Sequence, residues 1–442
     1  MKIFTSVIII LLIGLGWFGY VNSNKSGEDG YKNTLTNAVN YMEHGLYQLA
    51  IEEYDSAIKL KDTIEAREGL IDAYEKRLTE DDSLVYDFQD VLAEYVELYG
   101  YNNRYTIRLA ELYEENNDEE EAYEMLKNAV SAGADGYNIE EKLTAVKYGF
   151  KIGSANYTSF LPESNGSYSV YNGYSWSRID DSGSILESER SEYSGQSSKD
   201  GITLFTNDKD SRLIDKDGVV RGIFKEQITQ AGIYSEGLIG IMKDSKWSYY
   251  NNFAEKQFGD YEFGGSFING KVAVKDGDKW YIVNNKGERQ GDKEFDDLHL
   301  TQNQEYILND VIIASENNKY HIYNDKFKQV GEFGCDNIDI NTKDGIIAFK
   351  QGSKWGFVNT SGKIITESMY EDAKSFSNGL AAVCKDGKWG FIDKDNEMVI
   401  EPQFSDADYF TSSGTCMVRT PLPDTDGNYF WQLLRLNIKL KN

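Results

Sequence analysis

The stretch Gly379–Phe404 reads GLAAVCKDGKWGFIDKDNEMVIEPQF, and its turns decide the fold. Asp386-Gly387 separates the apolar run Leu380–Val383 from the aromatic run Trp389–Ile392. Asp-Gly supplies the positive φ angles of a two-residue hairpin turn. A second polar break, Asp393-Lys394-Asp395-Asn396, precedes Met398–Ile400. Turn chemistry alone therefore predicts three strands in one unit.

Most of the C-terminal two-thirds repeats this unit in worn form. Aligned on Trp389, the equivalents are Trp176, Ser211, Trp247, Trp280, Tyr320 and Trp355, 33 to 40 residues apart. Ten residues earlier stands a glycine: Gly166, Gly201, Gly237, Gly270, Gly345 and Gly379, with Asp310 in the Tyr320 unit. Four residues after the aromatic position comes Asp180, Asp215, Asn251, Asn284, Asn324, Asn359 or Asp393. Seven after, Gly183, Gly218, Gly287 and Gly362 close a second turn. An eighth unit starts at Gly414 and reaches Trp431 late, with Pro421–Gly427 reading as an insertion.

Lys388-Trp389-Gly390-Phe391-Ile392-Asp393 and Lys354-Trp355-Gly356-Phe357-Val358-Asn359 resemble the core of the bacterial WG (KWG) repeat. The resemblance spans roughly Gly166 to Trp431, with two good units and six degenerate ones. It implies β-rich interaction modules and carries over no catalytic residue.

A single such unit cannot bury its apolar face, so neighbours must stack. Three strands and a short fourth suit a propeller blade. The last unit lacks its second half. Tyr157 stands nine residues before Gly166, as Tyr370 stands nine before Gly379. A half-unit at each end would pair and remove exposed sheet edges. The expectation is an eight-bladed β-propeller over residues 150–442, with an open array as the alternative.

The chain has 442 residues and a net charge of −27, which argues against nucleic acid and anionic membrane surfaces as partners. The charge reads as spread, solvated surface. Residues 3–21 form an uncharged, mostly apolar stretch of membrane-spanning length between Lys2 and a polar tail. No Ala-x-Ala site follows, so residues 1–24 read as a retained anchor, with a cleaved signal peptide as the rival. Lys2 orients the bulk of the chain outside the cytoplasm.

From Tyr31 to Val146 the apolar period is helical. Ala38, Tyr41, Ala50, Tyr54 and Ala57 alternate small and large, and Leu109, Ala110, Tyr113, Ala122, Leu126 and Ala129 repeat that spacing. A weaker copy holds Leu70, Ala73 and Tyr74. The segment 31–146 resembles about three tetratricopeptide repeats, each without the expected proline. Asp118 is expected to cap the helix opened by Glu119–Glu121, with Glu121 answering from the third position. That reading is preferred to a metal or basic-partner site. The domain boundary falls within Ala132–Gly153.

No catalytic, cofactor or metal constellation assembles. His44, His299 and His321 lack zinc-site spacing. Cys335, Cys384 and Cys416 lie in separate repeats and read as buried thiols. Asp208-Lys-Asp210, Asp215-Lys-Asp217-Gly218 and Asp424-Thr-Asp426-Gly427 hint at calcium loops but fall where the repeat demands turns. The tryptophans recur at one phase, as a core position requires, so Trp355 and Trp389 are expected to be buried rather than ligand platforms.

The leading expectation is a membrane-anchored, non-enzymatic scaffold outside the cytoplasm, binding a protein or peptide. A carbohydrate-binding protein or hydrolase built on the propeller is the alternative. A third expectation, an envelope sensor, requires output through a separate partner. If residues 3–21 are a retained anchor, mass spectrometry of the protein extracted from membranes finds them attached. A mature N-terminus at Asn22 or beyond contradicts the anchor.

Overall fold

The computed structural model describes residues 27–134, 136–186, 191–421 and 429–440. The chain divides into two compact units between Val146 and Lys147. The apolar stretch 3–21 and the Asp424–Gly427 motif lie outside the described residues. Among the described residues no helix is long and apolar enough to cross a membrane.

Among the described residues the first unit is an array of seven α-helices. They are α1 (27–43), α2 (Tyr47–Leu60), α3 (Ile64–Leu78), α4 (Val85–Tyr99), α5 (Asn103–Glu115), α6 (Glu119–Ser131) and α7 (Tyr137–Lys147). The small residues do their expected work, since Ala38, Ala50, Ala57, Ala73, Ala110, Ala122 and Ala129 are fully buried at helix contacts. Thr63 and Asn102 cap α3 and α5 by accepting from the N–H groups of Ala66 (3.2 Å) and Tyr105 (2.9 Å). Asp118 does not cap α6. Its ψ of 49° departs from the extended backbone of a capping residue, and its side chain makes no cap bond. Arg67 is buried, pairs with Asp62 in the link before α3 (2.6 Å), and ties α3 to α4 through Glu94 (3.0 Å).

The second unit is β-rich and propeller-like. Among the described residues eight antiparallel sheets follow in chain order: sheet 1 (159–180), sheet 2 (193–224), sheet 3 (238–261), sheet 4 (263–284), sheet 5 (297–324), sheet 6 (337–370), sheet 7 (372–404) and sheet 8 (406–436). Sheet 8 takes its outer strand from Phe150–Ile152, in the register Phe150↔Leu436, Lys151↔Arg435, Ile152↔Leu434. Tyr157 then bridges Trp431, as Tyr370 pairs with Trp355 in sheet 6.

Turn positions explain why the repeat folds this way. The glycines ten residues before the aromatic position all have positive φ, and Asp310 takes the same conformation with φ 62°. At the second turn, Gly183, Gly218, Gly287 and Gly362 share positive φ with Ala254, Phe327 and Asn396. The residue between Trp and this turn holds it. Asn359 Oδ1 accepts from the N–H groups of Ser361 (3.1 Å) and Lys363 (2.9 Å). Asp180, Asp215, Asn251, Asn284, Asn324 and Asp393 make the same two bonds.

Each seam between sheets has its own chemistry. Ile239 and Ile241 of sheet 3 pack on Leu213 and Phe224 of sheet 2. Comparable apolar clusters join sheets 3 to 4, 4 to 5, 5 to 6, 6 to 7 and 7 to 8. Sheet 8 packs on sheet 1 through Met417, Leu433, Tyr168, Val170 and Ile179. The recurring tryptophan reaches the first strand of the next sheet. Trp247 meets Phe263 at 5.1 Å, and Trp431 meets Phe160 at 4.8 Å across the seam between sheets 8 and 1. Sheets 1 and 2 differ: Ser169 donates to Gly195 O (2.6 Å), Ser164 to Ser197 O (2.6 Å) and Arg178 to Thr203 Oγ1 (2.7 Å). Ser211, standing where the other units have an aromatic, instead donates to Glu226 O (2.9 Å) and accepts from Ile228 N–H (2.8 Å).

The left-handed second turn has a direct test. Ala254 has φ 60°, where a side chain costs about 1–2 kcal/mol. Ala254→Gly is therefore expected to raise stability by about 0.5 kcal/mol after the entropy of a free glycine is deducted. Gly237→Ala, at φ 85° with open space around the added methyl, should lower it by about 1 kcal/mol. Urea melts of both variants check the two signs.

Candidate functional site

The residues singled out for chemistry are held by the fold. Cys335 and Cys416 are fully buried and Cys384 is nearly so. Burial pushes the Cys335 thiol up to about 12 and the Cys416 thiol well above its usual range. The His321 ring lies in the strand Lys319–Asn324, with Nδ1 2.9 Å from Phe333 O. His44 Nδ1 sits 2.8 Å from Asn40 O. His299 packs edge-on to Tyr320 at 4.4 Å, and burial lowers its pKa. Asp215 Oδ1 is engaged by its own turn, and Asp210 pairs with Arg212 at 2.9 Å. Backbone N–H bonding, first from Val219, holds the Asp215 carboxyl below its ordinary range.

The aromatic phase is a packing phase, with one correction. Trp247, Trp280 and Trp389 are buried, but Trp355 is only half-buried. Lys350 covers its face at 6.0 Å, so its outer side meets an amphipathic chain.

The inner segments of several sheets converge on a feature the repeat did not announce. The connection Thr301–Tyr306 of sheet 5 reaches across to other sheets. Gln302 N–H donates to Asn341 Oδ1 (2.6 Å), and Gln302 Nε2 donates to Asp408 Oδ1 (2.7 Å). Asn303 Oδ1 accepts from Gln196 Nε2 (3.1 Å), and Gln304 O accepts from Ser266 N–H (2.8 Å). Gly265 allows that approach, since an added Cβ would lie 2.5 Å from Gln304 O. One loop thus bonds to sheets 2, 4, 6 and 8. The signal was present in the spacing: Trp280 to Tyr320 is the 40-residue interval, and this is the unit that lacks the first-turn glycine.

Beside this loop lies a cavity of about 380 Å³, lined by Glu163, Asn303, Glu305, Asn341, Asp408 and Tyr409 among others. Two carboxylates at this loop are engaged, while Glu305, half-buried in the lining, has its pKa raised by burial. Asp339 accepts from Tyr409 OH (2.8 Å), Ser375 N–H (2.8 Å) and Asn341 Nδ2 (2.9 Å). Lys374 stands 3.7 Å from Asp408 and lies over the rings of Trp389 (5.7 Å) and Tyr409 (5.4 Å). Burial raises the Asp408 pKa against the pull of Lys374 and Gln302, and pushes the Tyr409 hydroxyl well up. No group of His, Cys, Asp and Glu among the described residues is arranged to hold a metal ion. A second concavity, of about 700 Å³, opens in the helical unit between α4, α5 and α6.

The family described as "WG containing repeat" matches at residues 355–389 and 389–420. None of the curated proteins matches the chain. Among solved structures, a eukaryotic initiation factor is similar at 11% identity over 65% of this chain and 87% of its own, with a TM-score of 0.42. KlHsv2 with loop 6CD replaced by a Gly-Ser linker is similar at 11% identity over 65% and 98%, with a TM-score of 0.37. The Neurospora crassa Pan2 WD40 domain is similar at 10% identity over 57% and 91%, with a TM-score of 0.32.

Asp408 yields a signed pH dependence. Its folded pKa lies above the unfolded value, so its ionisation opposes folding. The penalty is absent below the unfolded pKa, grows as pH rises, and levels off above the folded pKa. The stability of Asp408→Asn relative to wild type should therefore rise with pH from the ordinary carboxylate range and then flatten. Urea melts of both proteins across that range check this, and parallel profiles would contradict it.

Proposed function

We propose that this chain is a membrane-anchored, non-enzymatic scaffold outside the cytoplasm, binding protein partners through two repeat units. The supporting observation is that Asp339 and Asp408, two carboxylates at the central loop, are spent on Tyr409, Ser375, Gln302 and Lys374. A general acid or base needs a free oxygen within reach of substrate. In this reading the helical unit is a tetratricopeptide-like array, and the β unit is an eight-bladed propeller sealed by its two ends. Sealing is supported by the pairing of Phe150–Ile152 with Tyr429–Leu436 and by the apolar seam between sheets 8 and 1. Anchoring rests on the sequence of residues 3–21 alone.

A carbohydrate-binding reading draws on the amides and hydroxyls that line the 380 Å³ cavity beside Tyr409. Capture from envelope extract on the full-length protein separates the two. A reproducible protein partner supports the scaffold, and recovery of glycan alone supports the alternative.

Sealing by the ends has its own test. Removing residues 429–442 strips the strand that pairs with both Thr415–Pro421 and Phe150–Ile152. The denaturant midpoint should fall for the whole β unit and aggregation should rise, because two sheet edges are opened at once. A near-native midpoint with fraying confined to sheet 8 would mean a linear array.

A further inference from the structure

The helical unit is far more acidic than the rest of the chain. Residues 27–146 hold 29 Asp and Glu against 10 Lys and Arg, a net −19 of the −27 total. The charge is therefore concentrated rather than spread.

Its distribution over the array is uneven. Between α3 and α5 the carboxylates are matched. Arg104 pairs with Asp72 (2.6 Å) and Glu75 (3.6 Å), and Arg108 pairs with Glu75 (3.4 Å), Glu111 (3.3 Å) and Glu115 (3.0 Å). Between α4 and α6 they are not. There the 700 Å³ groove has Leu109 and Tyr113 of α5 in it, with Ala93 and Val96 from α4 and Met125 from α6. Glu97 lines the groove, and Asp90, Asp118 and Glu121 stand close enough to act on the Tyr113 hydroxyl. All four carboxylates are exposed, and none forms an ion pair among the described residues.

We propose that this groove docks an amphipathic segment of a partner protein, one presenting apolar side chains flanked by Lys or Arg. The proposal rests on the scaffold reading and names the surface and the chemistry of its partner. Both halves of the site demand this occupant. A bare cation gains nothing from an apolar floor. A purely apolar segment would cover the carboxylates without pairing them, which costs desolvation free energy. A segment with both features buries the floor and places cations on the rim, where they also raise the association rate.

The probe is a fluorescein-labelled synthetic helix of Leu and Lys, titrated with full-length protein by fluorescence anisotropy. The expected result is saturable binding that weakens with salt and falls about tenfold or more in Glu97→Lys/Glu121→Lys. Both positions are exposed, and circular dichroism checks that the variant stays folded. A helix with Glu for Lys should not bind, and one with Ser for Leu should not saturate. Undiminished affinity in the double variant, or equal binding of the Ser–Lys helix, overturns the proposal. Failure of the scaffold reading shows separately, as absence of any protein captured from extract. Capture that survives the double variant unchanged moves docking off this groove while leaving the scaffold reading standing.

Discussion

A single side-chain oxygen, four residues after the aromatic position, holds each of the first seven sheets in shape. It accepts two backbone N–H groups from a turn that would otherwise leave them unpaired, as Asn324 does for Lys326 and Lys328. With that oxygen in place, the turn residue is forced into left-handed φ whatever its side chain. Glycine suits it, yet Phe327 accepts it at 58°. The third strand can then return in register, and the seam to the next sheet follows.

This explains what the sequence disclosed and what it concealed. The turn positions were legible because Gly, Asp and Asn mark them chemically. Ala254 and Phe327 carry no such mark, because the strain there is imposed from outside. The central loop at Thr301–Tyr306 was concealed for another reason: its bonds go to residues up to 107 positions away, such as Gln196. Only the long interval before Tyr320 hinted at it. In the helical unit the buried alanines were legible from period alone. Asp118 was misread because capping depends on backbone angles that composition does not reveal. The charge asymmetry does not show in the net charge of the whole chain, because the excess of carboxylates lies in residues 27–146.

The seams share one architecture but not one chemistry. Seven are apolar, while sheets 1 and 2 meet through serine, threonine and arginine. A hydroxyl seam specifies its partner by geometry, since each donor must find its carbonyl. An apolar seam tolerates sliding and substitution of similar volume. Fixed by such bonds, sheets 1 and 2 have a defined relative placement that burial alone would leave looser. The central loop extends the same logic inward, since its amides bond to several sheets at once.

The pairing of Phe150–Ile152 with sheet 8 also sets how the β unit bears load. Gly149 O accepts from Asn437 N–H at 2.8 Å, so the two strands are joined just beyond the Phe150–Leu436 pair. The two strands run antiparallel from there, and tension between the segments flanking them would act across the ladder at its open end. The three register pairs would separate singly from that end, each hydrogen bond carrying the whole force in turn, rather than sharing it as strands pulled in shear do. A β unit whose first strand is held by three register pairs is therefore compliant to a pull on that strand.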